Sequence, residues 1–137
     1  MKKLAIILSL FVALGTAAAE PPEVNEKVLK AFKETFTKAT DVVWHELSNS
    51  YQANFKQSEI TTKAIYDTNG NLISTTRYYS EENLPIHILS KVKKKYTGKS
   101  IFGITEYTND EEVAYYITLQ DDKNWYVVKS GSGGNLE

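Results

Sequence analysis

Without cysteine, any chemistry in this chain must come from histidine, carboxylate, hydroxyl and amine groups, and these are scattered. The two histidines, His45 and His87, have no second histidine at metal-ligand spacing. No serine stands in the G-x-S-x-G setting of a nucleophile elbow. Carboxylates gather at Glu81-Glu82, Asp110-Glu111-Glu112 and Asp121-Asp122. Paired carboxylates can hydrolyse glycosides, but these lie among turn-forming residues, where solvated charge normally sits. Asp67-x-Asn69-x-Asn71 has the opening cadence of a calcium loop. Such a loop requires glycine at its sixth position and glutamate at its twelfth. Here glycine comes fourth and Tyr78 twelfth, so a hairpin turn fits better. There is no glycine-rich phosphate loop. The residue types argue against an enzyme, a cofactor site and a metal site.

The elements that would carry these side chains follow from apolar periodicity. Val24, Val28, Phe32 and Phe36 recur every four residues and predict an amphipathic helix over about 23–39. Strands are expected at Val42–Leu47, Tyr51–Lys56, Thr61–Asp67 and Leu72–Tyr79, with Asn69-Gly70 as a tight hairpin in which both residues take positive φ. Leu84-Pro85 opens a second helix through Ile88, Val92 and Tyr96, and Gly98 stops it. Lys91, Lys93, Lys94 and Lys95 lie near its end, where positive charge complements the helix dipole. Further strands are expected at Ile101–Tyr107, Val113–Gln120 and Trp125–Lys129.

Helix-then-strands occurs twice, in half-repeats at about 23–80 and 84–137 within one domain, residues 20–137. Ala64-Ile65-Tyr66-Asp67 leads to Gly70-Asn71-Leu72, as Val127-Val128-Lys129-Ser130 leads to Gly134-Asn135-Leu136. The C-terminal glycines thus correspond to a hairpin turn before a final strand cut short. The pattern predicts an α+β fold: an antiparallel sheet of seven to eight strands with two helices packed on one face. If Tyr51, Phe55, Tyr115, Ile117 and Leu119 face the helices, the opposite face carries Gln52, Asn54, Lys56, Lys63, Thr75, Arg77, Tyr79, Tyr116, Thr118 and Gln120. Tyrosine and arginine among small polar groups suit a binding face. A second arrangement is a small-ligand site for a peptide or lipid, an apolar pocket lined by Trp44, Phe55, Tyr66 or Trp125.

Residues 1–19 have the form of a secretory signal peptide: Lys2-Lys3, an apolar run from Leu4 to Leu14, and Ala17-Ala18-Ala19 before the expected cleavage. That run is shorter than a membrane span, and no later segment is apolar enough for one, so a periplasmic or secreted protein with no stable membrane anchor is expected. The whole chain has net charge −1, and losing the two leader lysines makes it more acidic, a poor match for nucleic acid. Apart from Phe11 in the leader, two tryptophans, nine tyrosines and four phenylalanines remain to build a core without disulfides.

Phe36-x-x-Ala39-x-x-Val42-x-Trp44, Tyr51-x-Ala53-x-Phe55, Ala64-x-Tyr66-Asp67-x-x-Gly70, Leu84-Pro85 and Tyr96-x-Gly98 together resemble the β-lactamase-inhibitor-like, PepSY-like family of periplasmic proteins. Two departures stand out: Thr37 replaces a common proline, and the last strand is short. The resemblance implies a curved antiparallel sheet backed by helices. It also implies a domain that binds or inhibits another protein, such as an envelope protein or a peptidase.

Overall fold

The computed structural model describes residues 20–137; the expected leader, 1–19, lies outside the described residues. Helix α1 (Glu26–Thr35) precedes strands β1 (Thr40–Leu47), β2 (Ser50–Gln57), β3 (Ile60–Asp67) and β4 (Leu72–Tyr79). A 3-10 turn at Glu81–Asn83 leads into α2 (Ile86–Lys95), followed by β5 (Ser100–Asn109), β6 (Val113–Gln120) and β7 (Trp125–Gly131). All seven strands form one antiparallel sheet in chain order. The fold is α+β, as the repeat predicts, and no helix among the described residues is long and apolar enough to cross a membrane.

Both helices are shorter than the periodicity suggests, because local capping outweighs the apolar pattern at their ends. The Asn25 side chain accepts a 2.8 Å hydrogen bond from the Lys27 amide and so starts α1. Its Nδ2 donates to the Thr68 carbonyl at 3.1 Å, tying the helix start to the β3–β4 turn. Phe36 leaves helical geometry at φ −111°, ending α1 while its ring still packs on Phe32 and Phe55. Pro85 is the cap residue before α2, so Leu84 packs in the core from outside the helix.

The core has two parts. Val28 and Phe32 of α1 pack on Ala53, Phe55, Ala64 and Tyr66. Ile88 and Val92 of α2 pack on Ile104, Tyr115, Ile117, Leu119 and Val128. Each large side chain fully buried this way contributes about 1.5–3 kcal/mol. Ile60 and Tyr79 belong to the first half-repeat in sequence but to the α2 cluster in space, so the halves interlock.

The β3–β4 turn differs from the expected one. Only Gly70 takes positive φ there (+87°), and Asp67 closes the turn by accepting from the Asn69 and Asn71 amides, each at 2.9 Å. A Cβ on Gly70 would stand 2.8 Å from the Lys27 carbonyl oxygen, so this position needs glycine for space as well as for φ. The two-residue turn with both φ values positive lies instead at Ser58 and Glu59, between β2 and β3. After β7, Gly134 donates to the Gly131 carbonyl at 3.0 Å, and Lys129 and Glu137 exchange backbone hydrogen bonds. Leu136 bridges Ser130, in the manner of the Gly70 hairpin one half-repeat earlier.

Candidate binding surface

Directly paired residues of an antiparallel sheet project to the same side, so the register assigns the faces. One row across the helix-covered side runs Phe55, Thr62, Arg77, Glu106, Tyr115, Ser130. One across the other side runs Lys56, Thr61, Tyr78, Thr105, Tyr116, Lys129. Tyr51, Phe55, Tyr115, Ile117 and Leu119 lie on the helix side, as the alternation predicts.

Of the residues expected on the uncovered face, Gln52, Asn54, Lys56, Lys63, Tyr116, Thr118 and Gln120 lie on it. Thr75, Arg77 and Tyr79 do not. Tyr66 pairs with Leu72 but Ile65 pairs with Ser74, so β4 carries one extra residue at Ile73. This bulge reverses the alternation for the rest of the strand. Thr75, Arg77 and Tyr79 turn to the helix side, while Thr76 and Tyr78 take the uncovered face.

The register also brings to the uncovered face residues the sequence reading omits. A second bulge separates Ile101 from Gly103 and leaves Phe102 64% exposed. Its ring meets Trp125, 60% exposed and opposite Gln120, edge-on at 4.8 Å. Val127 and half-covered Tyr116 extend the patch, and the Lys129 ammonium lies 5.9 Å from the Tyr116 ring centre. At the other end of the sheet, Val43, His45 and Leu47 are exposed on the same face. The face therefore has a polar middle, with Gln52 Nε2 donating to Asn54 Oδ1 at 3.0 Å, and apolar groups toward its edges.

On the covered side, Arg77 Nη1 donates to Glu106 Oε1 at 3.0 Å, and the Tyr79 hydroxyl donates to Glu106 Oε2. Burial, and then the Glu106 carboxylate, hold the Tyr79 phenol far above its usual range, so it remains a donor. This cluster satisfies its own charges and has no histidine or second carboxylate. Trp44 and Tyr66 are packed in the α1 core and Trp125 lies on the opposite face. Of the four residues expected to line a pocket, Phe55 borders a groove, together with Phe36, Gln57, Ile60, Thr75 and Arg77. Lys93 pairs with Glu81 at 2.8 Å, and Lys91 donates to the Gly134 carbonyl at 3.2 Å. His45 sits on β1, and His87 Nε2 meets the Ser132 carbonyl at 2.9 Å. Among the described residues, no group of three or more metal-ligating side chains converges.

No protein-family model and no curated protein matches the chain. Solved structures do. A BLIP-like protein from Bacteroides fragilis is 18% identical with a TM-score of 0.69, covering 85% of this chain and 84% of that one. A DUF2874 family protein from Bacteroides ovatus is 19% identical with a TM-score of 0.67, covering 84% and 85%. A protein from Bacteroides eggerthii, provisionally described as periplasmic, is 12% identical with a TM-score of 0.66, covering 84% and 86%. At this identity the similarity is one of fold: the chain has the architecture of the BLIP-like proteins.

Proposed function

We propose that this chain, built on a BLIP-like fold, is an exported non-catalytic binding domain that meets a protein partner through the uncovered face of its sheet. The observation that carries the reading is the Phe102–Trp125 pair with Val127 and Tyr116, large apolar groups kept in solvent on the side that neither helix covers. Exposed apolar patches rimmed by polar groups are characteristic of interaction sites, and aromatic side chains supply most hot spots. Thr118, Gln120 and Lys129 border the patch, and Gln52, Asn54, Lys56 and Lys63 extend the same face as its polar middle. The inhibitor-like name of one fold neighbour and the periplasmic description of another support a partner in the cell envelope, as does the leader-like start of the sequence.

The test is capture of envelope proteins on immobilised wild-type domain and on Trp125→Ala/Tyr116→Ala, with the helix-side variant Lys30→Ala as control. The expected result is a partner retained by wild type and Lys30→Ala and lost with the double variant. Equal retention by all three would sink the reading.

A further inference from the structure

The groove between the two helix-backed cores has a chemistry of its own, on the side of the sheet opposite the face just described. Its volume is about 310 Å³, at the lower end for ligand pockets. Phe36 and Phe55 from the α1 side and Ile60 from the α2 side supply apolar wall; Gln57, Thr75 and Arg77 supply polar groups. Gln57 Oε1 is buried and has no hydrogen-bond partner. An acceptor in that state is left short of a donor. Arg77 has the opposite surplus: its guanidinium carries five N–H groups, and the side-chain hydrogen bond it makes is the one from Nη1 to Glu106. Because Glu106 already balances its charge, an added carboxylate would face a carboxylate, and an uncharged ligand fits better.

A peptide group offers one N–H donor and one carbonyl acceptor side by side. We propose that the groove takes a short uncharged peptide segment. An apolar side chain lies against Phe36, Phe55 and Ile60, the segment's N–H meets Gln57, and its carbonyl accepts from Arg77 or Thr75.

The test is ¹⁵N-resolved NMR titration of the protein with N-acetyl-L-phenylalaninamide and, separately, with its free acid, N-acetyl-L-phenylalanine. For the amide, saturable shifts centred on Gln57, Thr62, Thr75 and Arg77 are expected at about millimolar concentration. Gln57→Leu should weaken the amide about fivefold or more and yet raise the thermal midpoint, because it removes an unpaired acceptor. A residue serving only the fold would lower that midpoint. Absence of saturable shifts overturns the proposal, as does unchanged affinity in Gln57→Leu or tighter binding of the free acid. Shifts centred on Tyr116 and Trp125 would also overturn it, while leaving the uncovered face in play.

Discussion

The sequence places Arg77 on the uncovered face, but its neighbours Thr75, Thr76, Tyr78 and Tyr79 form a run whose residue types carry no alternation. The bulge at Ile73 turns it to the helix side, where it meets Glu106, 29 residues away, a partner the sequence alone does not pair with it. Removing Arg77 leaves a carboxylate only 12% exposed without its cation, while the arginine itself, 39% exposed, is partly screened by solvent. Arg77→Ala should therefore cost about 2 kcal/mol, and Arg77→Ala/Glu106→Gln less than the sum of the single changes, by urea unfolding. Asp121 gives a pH prediction. Lys99 Nζ at 2.9 Å, then the Lys123 and Asn124 amides, hold its carboxyl below the usual range. A depressed folded pKa contributes stability that is full above the unfolded value of about 3.9 and is lost as pH falls below it. The thermal midpoint should drop between about pH 4 and pH 2, and less steeply in Asp121→Asn. Asp67, held down chiefly by Asn71, acts in the same direction.

At the level of elements, strands were legible where one face is buried and the other wet. β2 and β6 show this alternation, and their six members of the expected face are all in phase, as is Lys63 of β3. Phase fails at the bulge at Ile73 in β4, where one residue inserts without a signature side chain, and the bulges at Phe102 in β5 and Asp41, at φ +54°, in β1 are equally unmarked. Helix ends were lost to capping by Asn25 and Pro85, which periodicity does not register. The β2–β3 turn was invisible because Ser58 and Glu59 are not typical at φ +52° and +64°. That geometry is the one Asn-Gly adopts readily. Ser58→Asn/Glu59→Gly should raise stability by about 1 kcal/mol, seen as a higher thermal midpoint with the sheet signal in circular dichroism unchanged.

For the whole molecule, the question is whether two cores make one cooperative unit. The β4–β5 ladder runs unbroken from Ser74–Asn109 to Tyr79–Ile104, and Ile60 and Tyr79 reach into the α2 cluster. Separating the halves would break that ladder and strip both side chains from their core. Trp44→Phe leaves Trp125 as the reporter of the second half, and Trp125→Phe leaves Trp44 for the first. The two reporters should show one shared transition, each with a midpoint displaced only by the cost of its own substitution and with the same denaturant slope. A biphasic curve in circular dichroism would show that the halves unfold separately.

The strand order β1 to β7 carries a kinetic consequence. Each strand's mate is the one made just before it, and only the step from β4 to β5 must close around a helix. Sheets usually fold slowly because distant segments have to find one another through a costly loop. A chain emerging from its amino end can instead zip this ribbon strand by strand, and each newly formed edge is sealed by the next strand before a stranger can occupy it.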